Sequence, residues 1–522
     1  MAYRSIPLEK FAEVFAATTE LSSEALGGTI VSFSDEFFAE AFHLIIPEPS
    51  LSLKGQFGLK GALYDGWETR RHNPAHDWCI LRLGTTGTIV GFDVDTSHFN
   101  GNEAPQVSIQ VLHGSPSEEP QANDPRWTEI FPKVDIGPNA RQLFTIPESQ
   151  AVNYVKLNMY PDGGIARFRV YGHVSPVIPS NATETFDLAH VFAGGRVELT
   201  SDQHFGVGAN LILPGTGKNM GGGWETKRSR ATGHKDWVII KLAAAGFLEY
   251  VNIDTTHFKG NFPESCEVYG LYSDANIDWK THENRDEDWT LILSRTKLGP
   301  HRQHYLQLEN VEGKAYTHVK LTIYPDGGLQ RIRVMGRTSE RSFPSASDRG
   351  VALSTTQPTE DVAPSSTVGK VVPVLPLTPE AFSPFGQVIE GYGDLSAAPK
   401  GTKISAANAG TATKFHKLSL LEASYPLDAG ATTGISVYRC QPSQATSKGL
   451  LDLKVMERHP FTNQAFLPMG QGSGEGLRDA GLNYLVVVAQ NGTDERPDLK
   501  TLRAFIASAA QGVVYKTAIW RE

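Results

Sequence analysis

The chain has 522 residues, more than one hydrophobic core organises, and this length predicts three or four domains. Hydrophobic residues make up 40% and charged residues 20%, with 25 Phe, 16 Tyr and 8 Trp, which excludes a disordered or collagen-like chain. Lys and Arg number 48 against 57 Asp and Glu, a net charge of -9 that offers no basic field to nucleic acid, and the three cysteines are too few for a disulfide framework or a Cys-rich zinc site.

A reducing cytoplasmic setting fits that cysteine usage best. No apolar run approaches the roughly 18 residues of a membrane span. Glu9 and Glu13 interrupt the N-terminal segment, so neither a membrane partner nor a secretory leader is expected. Phe11, Val14 and Phe15 share one helical face and predict a short helix before the first large unit.

From there the chain repeats itself. Gly66-Trp67-Glu68-Thr69 returns as Gly223-Trp224-Glu225-Thr226, followed by Arg70 and Arg71 in the first copy and by Lys227 and Arg228 in the second. Asp77-Trp78 returns as Asp236-Trp237. The block from Asp95 to Asn102 matches the block from Asp254 to Asn261 at six of eight positions. Tyr160-Pro161-Asp162-Gly163-Gly164 returns as Tyr324-Pro325-Asp326-Gly327-Gly328, with Arg167 and Arg169 matched by Arg331 and Arg333. Four blocks in one order establish a tandem duplication, spanning about 20–175 and 190–338. Within each copy, alternating runs such as Val107–Leu112 and Tyr154–Tyr160 are punctuated by Gly, Pro, Asn and Asp. That is strand periodicity, and units of this size built from short strands read as jelly-roll β-sandwiches.

Residues 339–369 contain 14 Ser, Thr or Pro in 31 and few large apolar side chains, so they read as a flexible, disordered linker. The last unit, 370–522, returns to strand-like runs such as Tyr484–Ala489 and adds a predicted short helix over Pro497–Ile506. A small β-barrel with minor helix is expected. The whole chain is thus mainly β.

The repeated blocks concentrate polar groups. Asp95, His98 and Asn102, and their counterparts Asp254, His257 and Asn261, sit where a strand runs into a turn. They could supply a carboxylate, an imidazole titrating near neutrality and an amide that reads ureido groups. They could equally cap the turn locally. Arg70, Arg71, Lys227 and Arg228 offer forks and charges suited to a small anion, or a solvated surface. Asp162 and Asp326 belong to a turn sequence and are candidate lining residues. His98 and Asp95 are plausible metal ligands in type, but no His-x-x-x-His spacing supports them. A divalent metal is neither required nor excluded by this pattern.

Taken together, these paired motifs resemble allantoicase, a hydrolase built of two tandem jelly-roll repeats. The resemblance spans about 30–338. It implies hydrolysis of allantoate to ureidoglycolate and urea, without a required cofactor, within a homo-oligomer. Glu68, Arg70, Arg71, Asn102 and Asp162, with Glu225, Lys227, Arg228, Asn261 and Asp326, are then the expected substrate-binding residues. Arg70 or Arg71, or their equivalents, would hold the substrate carboxylate. Asp95 and His98, or Asp254 and His257, would act as acid and base. Residues Leu377–Ile389, Met456–Met469, Pro497–Phe505 and Gly512–Trp520 resemble ureidoglycolate lyase, a small cupin-like β-barrel that releases glyoxylate and a second urea. There Glu457 and His459 are the expected acid and base, sharing a strand face, with Gln464 orienting substrate. In that family further strands follow the Trp matched by Trp520, whereas this chain stops at Arg521-Glu522, so a barrel short of its last strands is expected. The rival reading is a carbohydrate- or ligand-binding pair of jelly rolls, with the last unit serving only assembly.

Overall fold

The computed structural model describes residues 2–15, 17–115, 117–275, 277, 279, 288–339, 371–399, 401–426, 434–438, 445–447, 449–469 and 482–522. Nearly all of the segment expected to be a linker, 339–369, lies outside them; Ser339 alone is described.

Each repeat is organised by one 19-residue strand, Asp77–Asp95 in the first and Asp236–Asp254 in the second. The expected run Ile89–Val94 is only its last third. The first half of Asp77–Asp95 pairs with Thr29–Phe33 on one side and Val152–Tyr160 on the other, and Val152–Tyr160 continues to Gln106–Leu112 and Thr128–Asp135. Its second half pairs with Arg141–Thr145 and Arg167–Val174. All of these pairings are antiparallel, so a single strand crosses between two strand sets and ties the layers of a sandwich together. Gly87 and Gly91 lie where it crosses; a Cβ on Gly91 would stand 2.4 Å from the Phe144 carbonyl oxygen. Asp236–Asp254 repeats the plan with Arg196–Thr200, Ala315–Tyr324, Gln303–Gln307 and Arg331–Thr338. One apolar cluster, with Phe92, Phe131, Phe168, Val251, Ile253 and Ile332 in it, runs through both repeats.

The described residues of the last unit hold a five-stranded and a three-stranded sheet around Phe382, Phe385, Val486, Phe505 and Val513, and a separate hairpin of Lys403–Ala407 with Ala412–His416. Trp520–Arg521 is a strand within it, paired with Glu457–Arg458 on one edge and Asn483–Ala489 on the other. The helix expected over Pro497–Ile506 does not form. Asp498 caps a single 3-10 turn, Leu499–Thr501, and Arg503–Ser508 is a strand. It runs parallel to Val374–Pro376 and antiparallel to Asn483–Ala489, and these two neighbours override the helical spacing of Leu499, Leu502 and Ile506. A short helix occurs instead at Pro379–Phe382, capped by the Thr378 hydroxyl.

This unit docks on the second repeat through charge. Arg302 meets Glu380 at 3.4 Å, Arg503 meets Glu309 at 3.1 Å, and Lys259 meets Asp394 at 3.1 Å. Lys259 lies in the Asp254–Asn261 turn itself. Among the described residues, no helix is long and apolar enough to cross a membrane.

Candidate active site

Three motif segments of the first repeat converge at one end of the sandwich. Trp67–Glu68 pairs with Gly164–Ile165, and Glu103 bridges to Gly164. The Phe99 ring is buried under this junction. A Cβ on Gly164 would stand 2.1 Å from that ring, and one on Gly66 would stand 2.7 Å from it, which is why glycine is required at both places. Gly163 takes φ +147° and turns the chain so that Asp162 faces the cluster.

The Glu68 carboxylate accepts from Asn102 Nδ2 at 3.0 Å and from Arg71 Nη2 at 3.3 Å. Arg71 also donates to Asp162 Oδ1 at 3.2 Å and to the Asn102 carbonyl at 3.1 Å. Asp162 Oδ2 accepts the Asn73 N–H, and the Asn73 amide donates to Asp77, which also accepts from the Ser34 hydroxyl. Burial pushes the Glu68 carboxyl above the usual carboxylate range, and the Asn102 hydrogen bond and Arg71 charge offset only part of this. Glu68, Arg71, Asn102 and Asp162 therefore form one connected cluster. Arg70 turns away, and its Nε donates to Asp35 at 2.9 Å on the exposed side.

Asp95 and His98 make different contacts. Asp95 Oδ1 accepts the Ser97 N–H at 2.8 Å. His98 takes the left-handed backbone conformation at φ +71°, its N–H donates to Asn139 Oδ1, and its Nε2 lies 3.2 Å from the Ser50 carbonyl oxygen. Among the described residues, no hydrogen bond or ion pair joins either side chain to the Glu68 cluster.

The second repeat keeps part of the arrangement. Asn261 Nδ2 donates to Glu225 Oε1 at 2.6 Å, and Asp326 Oδ2 accepts the Ser229 N–H at 2.8 Å. Lys227 donates through its backbone to Asp202. Arg228, the counterpart of Arg71, is exposed, and among the described residues no carboxylate pairs with it. Asp254 Oδ1 accepts the Thr256 N–H, and His257, at φ +70°, donates its N–H to His301 Nδ1 and places Nε2 2.7 Å from the Gly217 carbonyl oxygen.

Behind both clusters lie the arginine pairs. Arg167 and Arg169 are both buried in internal ion pairs. Arg167 grips both oxygens of Asp65, at 3.0 and 2.9 Å, and Arg169 meets Glu20 at 2.8 Å. In the second repeat Gly222 stands where Asp65 does, and among the described residues Arg331 donates to the carbonyls of Gly222 and Gln330 and meets no carboxylate.

In the last unit, the three expected residues come together. His459 Nε2 lies 3.6 Å from Glu457 Oε1, and His459 Nδ1 lies 3.1 Å from Gln464 Nε2. Arg521 completes the group, meeting Gln464 Oε1 and, at 3.3 Å, Glu457 Oε1, with its guanidinium 5.2 Å above the Tyr515 ring. Sequence reasoning missed Arg521, and its placement directly after Trp520 gave no periodic signal. It also missed Ser34 and Asn73, which lie outside the motifs. Among the described residues, no group of three His, Cys, Asp or Glu side chains is placed to hold a metal.

These features agree with comparisons to known proteins. The allantoicase repeat family matches residues 19–175 and again 186–339, and the ureidoglycolate lyase family matches 369–522. A probable allantoicase of Schizosaccharomyces pombe is 47% identical over 326 residues, covering 62% of this chain and 93% of that protein. The allantoicase of Saccharomyces cerevisiae is 44% identical over 318 residues, covering 60% and 91%. The crystal structure of allantoicase from Saccharomyces cerevisiae superposes with a TM-score of 0.57 at 40% identity, covering 64% of this chain and all of that one. By its two matched repeats, this chain belongs to the allantoicase family, carrying a ureidoglycolate lyase unit after them.

Proposed function

We propose that this protein hydrolyses allantoate to ureidoglycolate and urea, and that its last unit cleaves ureidoglycolate to glyoxylate and a second urea. The observation that carries the first step is the Glu68, Arg71, Asn102 and Asp162 cluster, whose Glu–Asn half recurs at Glu225 and Asn261. In the overall reaction a water oxygen bonds to the central carbon of allantoate, the bond from that carbon to one ureido nitrogen breaks, and the nitrogen takes a proton as urea leaves. Arg71 keeps its Nε–H and one Nη1 hydrogen outside its described contacts, enough for a substrate carboxylate. Asn102 suits a ureido group. Glu68, pushed above the usual carboxylate range by burial, is the group suited to carry the proton.

The acid and base roles expected of Asp95, His98, Asp254 and His257 are a second proposal on the same reaction. Their hydrogen bonds within the turn favour a positioning part, setting the turn that carries Asn102 or Asn261. The Glu457, His459, Gln464 and Arg521 group supports the lyase step. Cytoplasmic location and homo-oligomeric assembly belong to the same proposal, and the chelator arm of the test below decides whether a divalent metal takes part.

The test is urea and glyoxylate release from allantoate by the purified full chain, with and without chelator. E68Q is expected to lower urea release by ~100-fold or more while leaving thermal stability unchanged or slightly raised, because it removes a buried carboxylate. H98A and H257A, measured separately, separate acid/base chemistry from positioning through the pH profile of the residual activity. Near-normal urea release by E68Q would overturn the Glu68 assignment. Sugar binding without any urea release would favour the carbohydrate-binding reading instead.

A further inference from the structure

The first repeat carries a cavity of about 420 Å³ whose lining includes none of Glu68, Arg71, Asn102 and Asp162. Alternate residues of adjacent strands share a sheet face. Here the pairing of Asn158 with both Ser108 and Trp78, and of Lys156 with Gln110, sets their side chains around one hollow. The hollow is built. Asn158 is only 3% exposed; its Nδ2 donates to the Ser108 hydroxyl at 3.2 Å and to Gln110 Oε1 at 3.4 Å. Its carbonyl oxygen Oδ1 is buried and, among the described residues, has no hydrogen-bond partner. A buried acceptor without a donor costs about 1–3 kcal/mol, a deficit that an incoming N–H would relieve.

Positive charge surrounds that acceptor. The buried Lys156 ammonium bonds to the Ala122 carbonyl at 2.7 Å and lies 5.1 Å above the Trp127 ring. Lys133 lies 4.2 Å above the Tyr160 ring, whose hydroxyl is 3.0 Å from the Ser108 hydroxyl. The His76 ring rests on Tyr160 at 4.9 Å. Burial, and then the charge of Lys156, push the His76 imidazole below its ordinary range, and burial does the same to the Lys156 amine. Asp77 offsets part of the His76 shift, and Glu129 stands at the rim.

The second repeat supplies an internal control at the same register. There Thr322, the counterpart of Asn158, pairs with Glu267 in the seat that Ser108 holds in the first copy. The Glu267 carboxylate accepts from the Tyr324 hydroxyl at 2.5 Å and the Tyr269 hydroxyl at 2.8 Å, while Arg295 lies 4.0 Å above the Tyr324 ring. The same architecture thus holds a carboxylate of its own in one copy and an open polar hollow in the other.

We propose that the first-repeat cavity binds a small carboxylate that also carries an amide or ureido N–H. The carboxylate takes the seat that Glu267 fills in the second repeat, near Lys156 and Tyr160, and the N–H donates to Asn158 Oδ1. This rests on the cavity's own chemistry and does not require allantoate turnover.

The experiment is calorimetric titration of the full-length protein with N-carbamoylglycine, beside acetate and methylurea as probes bearing one group each. N-carbamoylglycine is expected to bind, and each single-group probe at least about tenfold more weakly. S108E places the second repeat's own carboxylate in the seat and is expected to abolish binding. N158T, the residue the second repeat carries, and K156M are expected to weaken it by about tenfold; these keep the test standing if S108E does not fold. E68Q is expected to leave unchanged the binding that S108E removes, so that any N-carbamoylglycine taken up at the Glu68 cluster is read separately. Equal binding of acetate and N-carbamoylglycine, no binding at all, binding unaffected by S108E and N158T, or binding lost in E68Q alone would each overturn the proposal. Only the last of these would leave the Glu68 reading of allantoate hydrolysis strengthened, so the two can fail separately.

Discussion

Asp65→Ala isolates the ion pair that the second repeat lacks. The Arg167 side chain is 2% exposed and grips both Asp65 oxygens, so removing the carboxylate leaves a guanidinium that cannot lose its proton. Breaking one side of such a buried pair costs about 3–5 kcal/mol. Two details set the value inside that range. Arg167 keeps the carbonyls of Glu48, Ala166 and Asp65, which argues for the low end, but the Leu51 N–H loses its Asp65 acceptor at 2.7 Å, adding ~1 kcal/mol. A loss of about 4 kcal/mol follows. The shared apolar cluster makes the two repeats unfold together. With an unfolding entropy of about 2.1 cal/mol/K per residue over roughly 310 residues, the loss corresponds to a Tm lower by about 6 °C. Differential scanning calorimetry of wild type, D65A, R167M and D65A/R167M measures it. The double variant is expected to recover at least half of the loss, because no buried charge remains unpaired. A D65A shift under about 1 °C, or a double variant worse than the two singles combined, would refute the reasoning.

Acid sensitivity is expected to concentrate in the second repeat. Burial pushes the His304 imidazole down to about 4, with its Nε2 accepting the Gly299 N–H and its Nδ1 facing the Ile253 carbonyl. His190 and His318 are also pushed down to about 4 by burial. A base whose folded pKa is depressed contributes stability above its unfolded value of 6.5 and loses it as pH falls toward 4, and His304 alone accounts for roughly 3 kcal/mol. H304Q, carrying the residue found at the matched position Gln142, should flatten the fall of Tm between those pH values; an unchanged slope would contradict this. In the last unit, R521M is expected to lower glyoxylate release from ureidoglycolate by about tenfold or more while sparing urea release from allantoate. Equal glyoxylate rates would remove Arg521 from that site.

The duplication, the strand character and the Glu68 cluster were legible because covalent sequence records them directly. Glu68, Asn102 and Asp162 stand in repeated motifs, and the paired glycines of Tyr-Pro-Asp-Gly-Gly already implied a sharp turn. What sequence could not say was which member of each adjacent pair faces inward. Arg70 and Arg71 differ by one position, yet only Arg71 reaches Asp162, a distinction set by the loop that follows Trp67–Glu68. The backbone of His98 and His257 was not legible either, since nothing in composition marks a His at positive φ in a turn. The helix expected over Pro497–Ile506 failed because its partners, Val374–Pro376 and Asn483–Ala489, are distant in sequence. Arg521 and Lys156 were silent for the same reason, as each gains meaning only from residues tens of positions away.

The contact between Lys259 and Asp394 means that the turn bearing Asn261 is braced from outside its own repeat. No such brace from the last unit reaches the matching turn of the first repeat among the described residues. Two sites descended from one ancestor therefore differ in stiffness as well as in side chains. Whatever loosens the third unit is felt first by the repeat it leans on, so an insertion or cleavage there would act on one half of the duplication before the other.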